Sequence, residues 1–228
     1  MHFNRLKIKK DAWRKLDSGF ASLFKDPYKI HQAIWGLFSD HQERKRDFLY
    51  RINQEKTGPL IHSVSERKPV DSAGFWMIES KEYAPKIDAG QRILFSLRVN
   101  PVRTKRDENN RQHRHDVVME RKDQLKKMGT PREQWQSLSQ LAQEEGCKWL
   151  KGRATKHGFS FDEEKIMVEH YSRHSFYKYK KEKEIKLSTL DFNGSLMVEN
   201  PSLFLETLNK GIGPAKGFGC GLMLVKRI

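Results

Sequence analysis

The order of strand-like and helix-like segments is the feature that most limits the folds open to this chain. Residues 2–9 alternate apolar and basic side chains and predict a strand with one buried face. A helix follows, with Asp26 as its N-cap and Pro27 at the first helical position. Further strands are predicted at 48–52, 60–64 and 91–99, while 70–84 stays ambiguous. This order is that of a ferredoxin-like unit.

A second run of the same kind follows residue 100. It comprises a helix from Pro131 to Leu150, strands at 165–171 and 184–192, a helix between Asn200 and Gly211, and a last strand at 221–226. We therefore expect an α+β chain of two tandem ferredoxin-like (RRM-like) domains, with antiparallel sheets and helices on one face. The expected domains are residues 1–100 and 117–228, joined by a basic linker or loop at 101–116.

Five glycines lie within the eleven residues 211–221, around Lys216. Glycine allows a bulky neighbour to approach the main chain closely. The order here is helix, glycines, strand, which fits neither a Walker loop nor a dinucleotide fingerprint. A helix C-cap accounts for Gly211 and at most Gly213. The other three glycines predict a functional or close-packing role.

The charge balance limits the partners of the chain. Lys and Arg total 44 against 29 Asp and Glu, a formal net charge of +15 over 228 residues. Such a surplus indicates a polyanionic partner, either nucleic acid or an anionic membrane. No apolar run approaches the roughly 18 residues of a spanning helix, and no signal-peptide pattern opens the chain, so we expect no membrane partner. The two widely separated cysteines, Cys147 and Cys220, fit a reducing cytoplasm.

His31 is the strongest candidate for a catalytic group. Tyr28, His31 and Trp35 share one face of the predicted helix, beside the apolar stripe that contains Ile30 and Ile34. His31 lies about one turn into the helix, where backbone donors and the helix dipole attract a phosphate and favour neutral imidazole. The imidazole could move the proton of an attacking 2′-OH or of a leaving 5′-oxygen, while the Tyr28 phenol orients or donates. The competing interpretation is a structural histidine beside the core.

Metal-dependent nuclease chemistry is the alternative, and it requires clusters of carboxylates and histidines. His113, His115 and Asp116 form the one tempting run, inside a basic loop that lacks further acidic ligands. Contact with RNA phosphates is the better interpretation of this run. We therefore expect neither a metal nor another cofactor.

Two basic tracts are candidate RNA-binding surfaces. The first runs from Arg98 to Lys127, and the second, His170 to Lys183, mixes aromatic rings with cations at the presumed hairpin tip. Charge runs are usually solvated surface, but bases stack on aromatic rings while phosphates pair with cations. Neither half has an RRM aromatic signature, so we expect binding through hairpin and loops. The expected contacts are Arg103, Lys105, Arg106, Arg111, Arg114, Arg173, Lys178, Lys180, Lys181 and Lys216.

Four segments across the chain carry a resemblance to a known family. They are YKIHQAIWGLF at 28–38, RDFLYR at 46–51, LRVNPVRT at 97–104 and GIGPAKGFGCGL at 211–222. Together they resemble CasE, the CRISPR repeat-processing endoribonucleases of the Cascade (type I-E) surveillance complex. The middle of the chain, roughly residues 105–200, matches only loosely.

The resemblance implies two tandem ferredoxin-like domains and metal-independent cleavage of precursor CRISPR RNA at the base of each repeat's stem-loop. The products would be a 2′,3′-cyclic phosphate and a 5′-hydroxyl. The enzyme would stay on its product as a Cascade subunit, in contact with other Cascade subunits and only indirectly with target DNA.

The resemblance also implies roles for individual residues. The family's catalytic His falls on His31, its Tyr falls on Tyr28, and the hairpin that grips the RNA stem falls near Arg173 to Lys183. The glycine-rich loop matches as well, with packing against the first helix as the alternative to a catalytic role. A non-catalytic RNA-binding scaffold subunit, in which His31 belongs to the core, is the alternative function.

Overall fold

Two antiparallel sheets with packed helices form the computed structural model, which describes residues 1–15, 26–39, 41, 43, 45–56, 58–177 and 184–228. The N-terminal unit contains β1 (His2–Ile8), α1 (Lys10–Lys15), α2 (Pro27–Gly36), β2 (Phe48–Glu55), β3 (Gly58–Ser65) and β4 (Trp76–Glu82). The C-terminal unit contains β5 (Arg92–Val99), β6 (Val102–Arg106), β7 (Gln112–Asp116), α3 (Val117–Lys127), α4 (Leu138–Ala154), β8 (Phe159–Ser160), β9 (Ile166–Tyr177), β10 (Glu184–Val198), α5 (Pro201–Lys210) and β11 (Met223–Arg227). The expected α+β class with ferredoxin-like units is confirmed.

The N-terminal sheet has the strand order β2-β3-β1-β4, and α2 covers one of its faces. Leu6 of β1 and Phe48 of β2 pack in one core cluster with Ile30 and Ile34 of the helix. Burying each of these side chains contributes about 1.5–3 kcal/mol. Residues 66–75, all of them described, connect β3 to β4 without a helix. The second crossover of this unit therefore lacks the helix that a complete ferredoxin-like unit has there.

The start of α2 is fixed as the sequence predicts. The Asp26 carboxylate accepts hydrogen bonds from the backbone N–H of Tyr28 at 2.9 Å and of Lys29 at 3.4 Å, and Pro27 occupies the first turn. Such a cap satisfies N–H groups that the helix leaves unpaired. It also sets the helical phase that places His31 beside the buried stripe.

The C-terminal sheet has the order β11-β5-β10, with β8 and β9 along the other edge of β10. The sequence analysis placed the strand at 91–99 in the N-terminal unit, whereas β5 pairs with β10 and β11. β4, in the segment left ambiguous, takes the position beside β1 instead. The alternation of Ile93, Phe95, Leu97 and Val99 predicts a strand with one buried face but does not identify its neighbours.

The segment expected to be a linker, 101–116, forms the antiparallel hairpin β6–β7. Most of its side chains are exposed, so no hydrophobic alternation marks these strands in the sequence. Asp116 then caps α3, an unexpected helix with the two buried side chains Val117 and Val118. The helix expected from Pro131 begins at Leu138, after a capping box of Ser137 and Gln140.

β9 and β10 form a strand pair longer than the sequence predicts. Their pairing runs from Ile166 with Gly194 to Tyr177 with Glu184, and its register shifts between Thr189 and Asp191. The residues between the strands, 178–183, lie outside the described part of the chain. Three predicted RNA contacts fall there: Lys178, Lys180 and Lys181.

The two units meet through β2 of the first sheet and β5, β10 and β11 of the second. Arg98 binds the Asp191 carboxylate with two hydrogen bonds of 2.7 Å and donates a third to the Ile52 carbonyl at 3.1 Å. Leu49 and Leu222 belong to one apolar cluster across the same junction. Among the described residues, no helix is long and apolar enough to cross a membrane.

Candidate active site

His31 lies on the exposed side of α2, half-buried among aromatic rings. Its ring centroid is 6.4 Å from that of Tyr28, 5.8 Å from that of Trp35 and 5.8 Å from that of Phe218. Tyr28 and Trp35 come from the same helix, as the helical spacing predicts, while Phe218 comes from the glycine-rich loop. The histidine therefore lies where the N-terminal helix meets the C-terminal unit.

The surroundings of His31 favour its neutral form. Burial lowers the pKa of His31 from 6.5, the Gly217 backbone raises it by a smaller amount, and the Arg46 charge lowers it further. Within the described residues, no group meets the buried Nδ1 atom with hydrogen-bond geometry. We therefore take burial as the dominant effect, so the imidazole is mostly unprotonated near pH 7 and able to accept a proton.

The glycine-rich loop approaches His31 closely. A Cβ atom on Gly217 would lie 3.5 Å from His31 Cε1 and 3.1 Å from Arg46 Nη1. The Tyr50 hydroxyl donates a 2.7 Å hydrogen bond to the Gly217 carbonyl and so ties the loop to β2. Gly211 ends α5 with φ of +71°, the C-cap role that the sequence predicts. The close-packing interpretation of the loop thus accounts for Gly217.

Arg46 is a cation beside His31, immediately before β2. It is exposed as a residue, but burial of its charged end lowers its pKa, and the Tyr50 side chain raises it. The Arg46 charge also lowers the pKa of both His31 and Lys216, so these groups share one electrostatic environment. Positive charge around a neutral imidazole suits an anionic ligand such as a phosphate.

Phe218, whose ring lies beside that of His31, lines two clefts. The first, of about 490 Å³, is lined by Arg114 and Arg173, two of the predicted RNA contacts. The second, of about 600 Å³, lies between the units and is lined by Tyr50 and Arg98. The first cleft brings together one predicted RNA contact from each basic tract.

A family of proteins described as "CRISPR associated protein" matches residues 1–227. The chain belongs to this family. This match confirms the resemblance drawn from the four sequence segments, and it includes the middle of the chain that the segments leave out.

Two curated relatives of this CRISPR-associated chain cover most of its length. It is 27% identical over 201 residues to the CRISPR system Cascade subunit CasE of Escherichia coli, covering 87% of this chain and 91% of the relative. It is 24% identical over 214 residues to the CRISPR-associated endoribonuclease Cse3 of Thermus thermophilus, covering 88% and 90%. A Thermus thermophilus Cse3 structure, bound to an RNA representing a pre-cleavage complex, superposes with a TM-score of 0.69 at 21% identity, covering 99% of this chain and 98% of that one.

Several of the predicted RNA contacts of this family member are already engaged within the protein. Arg103, at 4.0 Å, and Lys105 both pair with the Glu120 carboxylate on α3. Arg106 donates to the Asn110 side chain at 2.5 Å, in the turn of the β6–β7 hairpin. Arg111 is exposed in the same turn. These four residues lie on the hairpin rather than beside His31.

Lys216, the remaining predicted contact, has a structural partner. Its Nζ atom donates a 2.5 Å hydrogen bond to the Lys210 carbonyl at the end of α5. A carbonyl in the last helical turn lacks an intrahelical partner, so Lys216 helps to cap this helix. Burial, with the charges of Arg46 and Lys210, lowers the pKa of Lys216.

Two residues of the run considered as a metal site, His113 and Asp116, make hydrogen bonds within the protein. His113 lies 2.8 Å from the Asp107 carboxylate, and Asp116 caps α3 while accepting a 3.0 Å hydrogen bond from the Tyr171 hydroxyl. Among the described residues, no group of three or more His, Cys, Asp and Glu side chains could hold a metal ion.

The structure changes one argument about His31 and adds residues to its site. Asp26 already accepts from the first N–H groups of α2, and Arg46 is the cation that lowers the pKa of His31. No role for Arg46, Tyr50 or Phe218 follows from the sequence alone. The first two lie in the RDFLYR segment and Phe218 lies in the glycine-rich segment, so the resemblance pointed to all three without assigning a function.

Proposed function

We propose that this protein is a CasE-type endoribonuclease that binds the stem-loop of CRISPR repeats and cuts precursor CRISPR RNA at the base of the stem. The observation that carries the proposal is the half-buried His31, whose pKa is lowered and which lies beside Arg46 under the glycine-rich loop. Its relatives support the reaction class, because one is named an endoribonuclease and another a Cascade subunit.

Cleavage needs a proton acceptor at the attacking oxygen and a proton donor at the leaving oxygen. The 2′-oxygen attacks the adjacent phosphorus as its proton leaves, and the P–O5′ bond breaks as the 5′-oxygen gains a proton. The products are a 2′,3′-cyclic phosphate and a 5′-hydroxyl. His31 handles one of these protons, and its Nε2 meets the substrate because Nδ1 is buried. Tyr28 orients the reacting groups or donates the second proton.

The RNA stem is held by the first cleft and the strand pair that borders it. Arg114 and Arg173 line this cleft, and Phe218 connects it to His31. Phosphate contacts from such cations supply most of the affinity for a nucleic acid. A-form stems hide base edges in a deep, narrow groove, so recognition of the repeat rests mainly on stem shape and loop contacts.

The cleaved RNA remains bound, and the protein acts as a subunit of a Cascade complex in the cytoplasm. Its partners are then the repeat stem-loop, before and after cleavage, and other Cascade subunits, while target DNA is met only through the guide RNA. The Escherichia coli relative is named a Cascade subunit, which supports this placement.

The decisive experiment incubates the purified protein with a hairpin repeat RNA in EDTA. We expect cleavage at the base of the stem and a product ending in a 2′,3′-cyclic phosphate. A matched RNA with a 2′-deoxy nucleotide before the scissile phosphate should bind equally and stay intact, because it lacks the attacking hydroxyl. Tight binding of the all-ribose RNA without cleavage would favour the scaffold subunit, and cleavage that needs an added metal would refute the metal-independent mechanism.

A further inference from the structure

Arg46 differs from Arg51 and Arg98, two other arginines at the unit junction, because it lacks a partner among the described residues. Among the described residues, it has no carboxylate within ion-pair distance and no hydrogen-bond partner. The adjacent Asp47 does not neutralise it, because that carboxylate binds the Arg67 guanidinium at 2.7 and 3.1 Å. A guanidinium whose charged end is partly buried without a counterion is costly, unless a ligand supplies the negative charge.

The Arg46 guanidinium lies against the glycine-rich loop. A Cβ atom on Gly217 would lie 3.1 Å from Arg46 Nη1 and 3.5 Å from His31 Cε1. Gly217 does not have a positive φ. A side chain at this position would therefore be restricted by contacts with its neighbours and not by the backbone conformation. The glycine thus lets the guanidinium and the imidazole lie against the same peptide unit.

Lys216 is the competing cation, and its contacts assign it a different role. Its ammonium group donates to the Lys210 carbonyl at 2.5 Å, at the end of α5. A Cβ atom on Gly221 would lie 3.3 Å from Lys216 Cγ, so the stem of this side chain is also packed against the loop. Lys216 is therefore held toward the helix end, whereas Arg46 has no such acceptor in the part of the chain that the structure describes.

We propose that Arg46 is a catalytic residue that binds the non-bridging oxygens of the scissile phosphate and stabilises the negative charge that builds on them in the transition state. This inference rests on the proposed function. As the 2′-oxygen adds to phosphorus and the P–O5′ bond breaks, these oxygens gain charge, and a guanidinium offers two parallel N–H donors to them. Arg46 exchanges no proton, and His31 remains the acid–base group.

The experiment measures single-turnover cleavage and RNA affinity for Arg46→Ala, Arg46→Lys and Lys45→Ala. Lys45 is the matched control, because it is the adjacent cation, is exposed and makes no ion pair among the described residues. We expect Arg46→Ala to lose about 10²–10³-fold in cleavage rate, as the loss of one transition-state donor does elsewhere. Its RNA affinity should match that of Lys45→Ala, whose rate should be unchanged. Arg46→Lys should fall between, since it keeps the charge without the planar pair of donors.

The pH dependence of the cleavage rate distinguishes a catalytic role from a structural one, because loss of a purely structural residue would leave it unchanged. Removing Arg46 removes a charge that lowers the pKa of His31, so the limb of the rate profile that His31 sets should shift to higher pH. Among the described residues, Tyr28 lies beside His31 on α2, while Tyr50 and Lys216 border the same glycine-rich loop, and none of the three is altered. Lys45→Ala should keep the wild-type profile.

Two results would overturn the assignment of Arg46. One is wild-type cleavage by Arg46→Ala with an unmoved pH profile, in which case the proposed function stands and this inference fails. The other is a rate loss fully restored by saturating RNA, which would make Arg46 only a ground-state anchor. Thermal unfolding of each variant, with Arg46→Lys as the conservative reference, separates misfolding from catalysis. If wild-type protein leaves the RNA intact, the proposed function itself fails, and this inference fails with it.

Discussion

Arg46 and Arg51 lie five residues apart on one stretch of chain, yet their surroundings are opposite. Arg51 is 6% exposed and donates to the Ser96 hydroxyl at 2.8 Å and to the Asn53 side chain at 3.1 Å, with the Asp191 carboxylate at 3.6 Å. Arg46 has neither a carboxylate nor a hydrogen-bond acceptor among the described residues. Both lie at the junction of the two units, one in its interior and the other beside His31.

Arginines of the first kind bind carboxylates and hold the two units together, whereas an arginine of the second kind can bind an anionic ligand. Arg98 shows the paired type most clearly, because its hydrogen bonds to Asp191 outweigh burial and raise its pKa. At Arg51 burial outweighs the more distant Asp191, and the pKa falls. Removing a paired cation should lower stability, and removing an unpaired one should lower activity. The following predictions test this separation.

The largest expected effect is on the reaction itself. His31→Ala should lower the cleavage rate by about 10²–10⁴-fold, the usual contribution of an acid–base group. RNA affinity should stay nearly unchanged, because one uncharged side chain adds little to many phosphate contacts. Tyr28→Phe should be milder, since it keeps the ring and loses only the hydroxyl. Single-turnover cleavage with a filter-binding control measures both, and wild-type-like cleavage by His31→Ala would remove His31 from the mechanism.

The second effect should be a lower free energy of unfolding without a loss of cleavage activity. Asp191→Asn leaves Arg51 and Arg98 without their carboxylate, and breaking a buried ion pair from one side costs about 3–5 kcal/mol. Urea unfolding should show this loss, with RNA cleavage retained at low temperature. The matched control is Asp107→Asn in the exposed β6–β7 turn, which should barely change unfolding. Equal unfolding curves for the two variants would mean that the junction does not depend on its charges.

The third effect compares two pairs of cations on the RNA side. Arg114 and Arg173 share a cleft beside Phe218, whereas Arg103 and Lys105 pair with Glu120. Neutralising the first pair should flatten the dependence of log affinity on log salt by about two, near 0.9 for each lost phosphate contact. Neutralising the second pair should flatten it less. The opposite order would place the RNA on the hairpin face instead of in the cleft.

Local signals in the sequence were sufficient for much of the fold and for the centre of the site. Asp26 and Pro27 fixed the start of α2, and helical spacing placed Tyr28 and His31 on one face, because caps and periodicity depend on nearby residues. The density of glycines at 211–221 predicted a functional or close-packing role for this loop, and the family resemblance includes the same segment. The pairing of β5 with β10 and β11 was not predictable. Alternation of apolar and polar residues identifies the buried face of a strand but not the strands beside it.

Contacts distant in sequence explain what was missed at the site. Arg46 and Gly217 are separated by most of the chain, and only the assembled units bring them together. The hairpin β6–β7 and helix α3 carry too few apolar residues to show a period. The bond of Lys216 to the Lys210 carbonyl depends on the folded loop, so the sequence did not indicate it.

The smallest predicted effect concerns two histidines that these arginines influence. Burial is the first cause of a lowered pKa at both His31 and His62; Arg46 adds to it at His31, and Arg5 and Arg51 add to it at His62. In the unfolded chain both pKa values return to about 6.5. Above that pH both states hold neutral imidazole, and below it the unfolded state binds protons first. The free energy of unfolding should therefore fall as the pH falls from about 6.5 through the lowered folded-state values.

Urea unfolding at about pH 7.5 and about pH 5.5 measures this loss together with that from His157 and His174, whose pKa values burial also lowers. Carboxylates remain largely ionised in this range. NMR titration then assigns it, because Arg46→Ala should raise the pKa of His31 and leave that of His62 in place. His62 responds instead to Arg51, on the paired side of the junction. Equal shifts at both histidines would show that the two arginines act on one continuous electrostatic environment, and the division between paired and unpaired cations would then fail.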